Sequence, residues 1–350
     1  MHWRPWLLLA MAAVGKFLRP TFIGQPQFSR RSRVARCWRP ETYVETEKGH
    51  EGLYFNAESN LAQHVFSRGL SSLSSWSQWY QAPWWLQQGD VMTLAATLRE
   101  VDTVASHTSL VSTPDGGVLS LEIFSEATAD ELPQTAPLVL LLAGLGGSSA
   151  SGYVKNMAAS LLRHGFVAVG VNMRGTGAAT LRTPRFASAH HGSTEDLRLA
   201  VRHLREVYPL AGKIFALGWS LGGNIVANTL AEQRQGDARD LDGGIALCPT
   251  HCLTRCARQY DEHWPMRHIY DPFVLRNLKK MVTPALPFYR AGPVEAWNTS
   301  TLVSIDHELL QSAQRIRDVD EALVRRMFGY SSVDEYYYQA SLARRLDDVQ

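Results

Sequence analysis

The chain has 350 residues, a length that suits one large α/β domain or two ordinary ones and allows a sizeable core. Its 35 Lys and Arg stand against 33 Asp and Glu, a formal charge of +2, so no nucleic-acid partner is implied. Cys37, Cys248, Cys252 and Cys256 are too few and too unevenly spread for a disulfide framework. They also lack the close C-x-x-C spacing of a metal set, so they read as free thiols, and neither metal nor cofactor is expected.

Residues 1–40 form a segment of their own, without an acid and with Arg4, Lys16, Arg19, Arg30, Arg31, Arg33, Arg36 and Arg39. Its apolar stretch, Trp6 to Val14, is well short of the roughly 20 residues that cross a bilayer. It fits a signal-peptide or transit sequence, a tilted anchor with Trp3 and Trp6 at the interface, or a solvated tail, and the first two predict organelle targeting or membrane association. Residues 41–108 follow as an aromatic-rich wrapper with Trp76, Trp79, Trp84 and Trp85; burial against the main domain is the plainer reading and a membrane-docking surface the sharper one.

The main domain is read as residues 109–350. Ser109 to Thr113, the turn Pro114-Asp115-Gly116-Gly117 and the alternating Val118 to Phe124 predict a β-hairpin. Leu138 to Ala143 is a continuous apolar run between Pro137 and Gly144, as in a strand buried on both faces of a parallel sheet. Tyr153 to His164 predicts a helix with Gly165 as its C-cap, and Phe166 to Met173 another buried strand. Thr194 to Tyr208 predicts a helix capped by Ser193 or Thr194, with acids in its first turn. Lys213 to Trp219, Leu221 to Gln233 and Gly243 to Cys248 predict strand, helix and strand. Such alternation points to a doubly wound, mostly parallel α/β sheet.

The chemistry sits where the third buried strand meets its helix: Gly218-Trp219-Ser220-Leu221-Gly222-Gly223, a G-x-S-x-G. A serine there occupies a strained turn whose flanking glycines remove the Cβ atoms that would clash, which lifts its hydroxyl above the sheet. The following helix aims its free amides and positive end at the same spot, favouring a developing oxyanion. Alone the pattern is weak, but Gly144-Leu145-Gly146-Gly147 after the first buried strand supplies a second donor loop, and the backbone N–H groups of Leu145 and Leu221 are the expected oxyanion pair. A phosphate-binding loop is the rival reading; no Gly-Lys-Ser/Thr follows, as a P-loop requires.

From roughly Pro83 onward the chain resembles the α/β-hydrolases grouped as AB hydrolase family 4, which include membrane-anchored acylglycerol lipases, phospholipases and bacterial esterases. The resemblance is carried by Gly89 to Thr93, Thr113-Pro114-Asp115-Gly116, the Gly144 loop with Tyr153-Val154, Asn172-Met173-Arg174-Gly175, Thr183-Pro184-Arg185, Thr194-Glu195-Asp196-Leu197 and Gly218 to Asn224. Phe328-Gly329-Tyr330 and Glu335-Tyr336-Tyr337 add to it near the C-terminus. It implies the α/β-hydrolase fold with a helical cap at about residues 250–340 and Ser220 as catalytic nucleophile. Arg174 reads as a salt-bridge strut rather than a catalyst, and His190 and His191 as solvated loop residues, with contact to substrate as the alternative.

The fold places the triad acid and then the histidine on loops after later strands. No convincing buried strand follows Cys248, and the segment resembling Tyr336 to Val349 leads, in the family, into the strand that carries the acid. The last strands, the acid and the histidine are therefore expected beyond Gln350, with Gly243 to Cys248 left as a sheet edge. His251, Asp261, His263, His268 and the pair Asp306-His307 are the internal substitutes, but none follows a predicted strand directly. The expected activity is serine ester hydrolysis of lipid or medium-chain acyl esters, with this chain inactive by itself. A non-catalytic binding protein of the same fold and an alcohol acyltransferase are the alternatives.

Overall fold

The computed structural model describes residues 100–350 except 126–134, 210, 234–239, 298, 346, 347 and 350, together with residues 43, 44, 53, 54, 91, 92 and 95. The chain divides into two units, Met1–Glu100 and Val101–Gln350. In the first, Tyr43–Val44 pairs antiparallel with Leu53–Tyr54. The targeting segment, the tryptophan cluster of the wrapper and Cys37 lie outside the described residues.

In the second unit the predicted hairpin forms three residues earlier than expected, as β1 (Ser106–Ser112) and β2 (Val118–Phe124), paired antiparallel. The apolar runs become β3 (Leu138–Leu142), β4 (Val167–Asn172), β5 (Ile214–Trp219) and β6 (Gly243–Leu247). They complete a six-stranded sheet in the order β1-β2-β4-β3-β5-β6. Strands β4, β3, β5 and β6 run parallel, and β2 joins β4 antiparallel.

The continuous apolar composition of β3 follows from its place in the middle. Leu138, Leu140 and Leu142 pack with Val167, Val169 and Val171 of β4 on one face, while Val139 and Leu141 turn to the other. Helix α1 (Gly152–Arg163), closed by the expected Gly165, covers the second face through Val154 and Ala158. Helices α2 (Ser193–Val207) and α3 (Leu221–Glu232) cover the first through Leu197, Val201, Ile225 and Val226. The sheet is therefore doubly wound, as predicted.

The start of α2 differs from expectation. Its cap position is Gly192 at φ 82°, and the Glu195 carboxylate reaches back to accept the Gly192 N–H at 2.7 Å. Ser193 lies inside the helix, its Oγ accepting from Ser188 N at 3.1 Å, because the tight entry leaves no room for a hydroxyl cap.

Beyond β6 the chain is helical, as expected of a cap: α4 (Leu253–Glu262), a π turn (Met266–Tyr270) running into α5 (Asp271–Val282), α6 (Leu286–Ala291), α7 (His307–Ser312), α8 (Ile316–Val319) and α9 (Val333–Gln339). Strand in this region is limited to the two-residue pieces β7 (Val294–Glu295) and β8 (Leu302–Val303) among the described residues. The cap has its own core, in which Leu275, Leu278 and Met281 meet Val319, Leu323 and Met327. Among the described residues β6 pairs only with β5 and forms an edge of the sheet. No helix among the described residues is long and apolar enough to cross a membrane.

Candidate active site

Ser220 stands between β5 and α3 at φ 49° and ψ −115°. Only Ser220 and Cys248 combine a side chain with positive φ among the described residues. A backbone so strained is a mark of a functional turn. Two glycines make it possible: a Cβ at Gly218 would lie 2.2 Å from Gly222 O, and one at Gly222 would lie 2.3 Å from Leu142 O. The turn is held by Ser220 N–H donating to Leu247 O at 2.9 Å and Asn224 N–H donating to Ser220 O at 3.0 Å.

Leu221 is the first residue of α3, so its amide is one of the helix-start donors without an intrahelical acceptor. The Gly144 loop comes up beside the serine; a Cβ on Gly144 would be 3.3 Å from Ser220 Cβ. The Gly144 N–H is engaged by the Tyr153 hydroxyl at 3.1 Å, which leaves Leu145 as the next amide of that loop, and Leu145 lines the same cavity as Ser220. Tyr153 itself packs edge-on against Trp219, with ring centroids 5.0 Å apart. Its position on α1 explains a residue whose role the sequence left unassigned.

Ser220, Leu145 and Leu221 open onto a cavity of about 320 Å³ between the sheet and the cap. Its apolar lining includes Ala189, Leu253, Ala257 and Val274, and it also carries Tyr260, Asp261, Asp271, Arg315, Asp320 and Tyr337. Asn224 ties the sheet side to the β6–α4 connection, donating to Thr250 O at 2.9 Å and accepting Thr250 N–H at 2.8 Å. Among the polar lining residues Arg315 contacts Asp261 at 2.6 Å and Asp271 at 3.3 Å, and the Tyr337 hydroxyl donates to Asp320 at 2.6 Å. Burial pushes the Asp320 carboxyl up to about 7, against the Tyr337 hydrogen bond and the nearby Arg317. Of these cap groups the sequence reading named Asp261, as a substitute acid, and Tyr337, within Glu335-Tyr336-Tyr337, and it assigned the others no role. Tyr260, Asp271, Arg315 and Asp320 belong to no motif and are brought together only in space.

The substitute residues do not assemble a triad with Ser220 among the described residues. His251 does follow a strand, in the connection after β6, contrary to the sequence reading, because Gly243–Leu247 ends close before it. Its side chain is nevertheless exposed and does not line the cavity. His263 and His268 are exposed on the cap, His268 against Trp264. Asp306 caps α7 by accepting Leu309 N–H at 2.9 Å, with His307 as the first residue of that helix.

Arg174 is a strut, as expected. It is buried, grips Asp196 through Nε at 2.7 Å and Nη2 at 2.8 Å, and reaches Asp115 at 2.6 Å. Burial would raise the Asp115 carboxyl, but the Arg174 hydrogen bond and charge hold it at about 2. His190 corrects the expectation of a solvated loop. It is buried, with Nε2 2.6 Å from Glu232, because its loop is pinned beneath Tyr336 and Asn228 through the backbone of Ala189. His191 is half-buried against it, with ring centroids 3.8 Å apart.

Comparison with known proteins agrees with this layout. Embryogenesis-associated protein EMB8 of Picea glauca is 30% identical over 73% of this chain and 54% of its own length. Protein abhd-3.2 of Caenorhabditis elegans is 30% identical over 80% of this chain and 70% of its own. Phospholipase ABHD3 of Bos taurus is 28% identical over 77% of this chain and 62% of its own. The chain thus spans about half to two thirds of the length of these curated relatives. The Hydrolase_4 family model, described as serine aminopeptidase, S33, matches residues 133–320, from the strand before the Gly144 loop through Ser220 into the cap, and the chain belongs to this α/β-hydrolase family.

Proposed function

We propose that the chain carries the nucleophile and oxyanion hole of a serine carboxylic ester hydrolase acting on lipid or medium-chain acyl esters. The observation that carries this reading is the strained Ser220, presented at the start of α3 to a largely apolar cavity. In the reaction Ser220 Oγ attacks the acyl carbonyl and the amides of Leu145 and Leu221 stabilise the oxyanion. The alcohol leaves, and water then hydrolyses the acyl-enzyme. The wall of Leu253, Ala257 and Val274 suits an acyl chain, and the name phospholipase borne by the relative ABHD3 supports a lipid ester. Transfer of the acyl group to an alcohol would use the same site.

No histidine lines the cavity with Ser220 among the described residues, so on these residues alone catalysis would rest on the oxyanion hole and substrate binding. An oxyanion hole and substrate binding alone can leave about 10³ to 10⁴ of acceleration over water. The test is labelling with a fluorophosphonate probe, followed by mass spectrometry, alongside Ser220→Ala. Slow labelling confined to Ser220 is expected. Labelling that persists in Ser220→Ala would remove Ser220 as nucleophile. Labelling as fast as that of an activated serine hydrolase would place the base within this chain, with His251 the first candidate to mutate.

A further inference from the structure

Residues 264–282 run as one helix through the π turn and α5, and its sides do different things. One side is cap core, with Leu275, Leu278, Met281 and Val282. Asp271 and Val274 line the cavity above Ser220. The outer side is exposed: Trp264 is 65% exposed, Ile269 55% and Phe273 66%. In an ordinary α-helix a spacing of five would rotate Ile269 about 140° away from Trp264. The i→i+5 turn at Met266–Tyr270 brings it back to nearly the same side, and Phe273 follows one α-turn later. The exposed cations Arg267, Arg276 and Lys280 lie along the same helix. The one acid within 263–280, Asp271, is buried against Arg315, and the nearest exposed acid in sequence is Glu262, just before this stretch.

An apolar strip with an aromatic anchor, followed along its helix by exposed Arg267, Arg276 and Lys280 and preceded by the exposed acid Glu262, is complementary to a lipid surface of negative charge. We infer that this side of residues 264–280 docks on bilayers containing anionic lipid, with Trp264, Ile269 and Phe273 seated at the headgroup boundary and Arg267, Arg276 and Lys280 against the headgroups. The same helix walls the cavity through Asp271 and Val274, so docking would hold the cavity beside the membrane. The inference does not depend on Ser220 being a nucleophile, since docking is measured without turnover.

The test is co-sedimentation of the whole 350-residue chain with phosphatidylcholine vesicles, with and without phosphatidylserine, coupled to hydrogen–deuterium exchange. Vesicles are expected to protect residues 264–280. The Trp264→Ser/Ile269→Ser/Phe273→Ser variant should lower the partition coefficient about tenfold or more. Arg276→Glu/Lys280→Glu, which touches no core residue, should do so only on phosphatidylserine vesicles. Unchanged exchange in this helix, or unchanged binding of both variants, overturns the inference. So does a vesicle-free dimer that the triple substitution dissolves, since the strip would then belong to a second copy of the chain.

Discussion

At the scale of single residues, burial decides what each polar group can do. Arg174 neutralises Asp115 and Asp196 where water cannot, so Arg174→Ala should cost about 3–5 kcal/mol by leaving two carboxylates uncompensated, measured by urea unfolding. Asp115 and Glu232 both sit near 2 in the fold, below their ordinary values of 3.8 and 4.5; Glu232 is held down, against burial, by His190 and Arg198. A depressed carboxyl stabilises the fold above its unfolded value and loses that contribution as it protonates. Melting temperature should therefore hold above about pH 4.5 and fall steeply towards pH 2. Asp320 has the opposite sign. Its folded value near 7 lies above the ordinary 3.8, so its contribution is present in acid and is lost as the pH rises through 7. Asp320→Asn, which keeps an acceptor for Tyr337, should melt higher than the parent chain by a margin that grows from about pH 4 to pH 7 and then levels off.

At the scale of elements, β3 and the turn after β5 carry most of the architecture. Leu140 is fully buried in the middle of β3, with no polar edge to relax towards, and Leu140→Ala should cost about 2–5 kcal/mol by chemical denaturation. These elements were legible in the sequence because a strand covered on both faces must be apolar throughout, and a turn at which backbone atoms come within 2.3 Å of a Cβ position must have glycine. The start of α2 was less legible. Ser193 and Thr194 both look like caps, and only the path of the preceding loop, entering through Gly192, assigns the role to a backbone without a hydroxyl. His190 misled for a similar reason: a loop in sequence is a surface in general, but Ala189 is pinned to Tyr336, far along the chain, and the histidine goes under with it.

At the scale of the whole molecule, the sheet closes at neither edge among the described residues. β6 shows its backbone to solvent beside Ile245, which is 56% exposed. Such an edge invites pairing with another strand. Ile245→Lys should reduce concentration-dependent association of the chain, read by light scattering, with little effect on its unfolding midpoint.

What the sequence by itself determined is the parallel sheet, the order of its helices and the position of Ser220, since each rests on local periodicity or on a turn that admits one set of residues. What only the tertiary structure decided is the other half of the cavity. Tyr260 comes from α4, Asp271 from α5, Arg315 and Asp320 from the two ends of α8 and Tyr337 from α9, and the sequence carries no trace of their meeting. The reason is physical: a strained turn is made by neighbours along the chain, whereas a cavity wall is made by whichever side chains packing brings together.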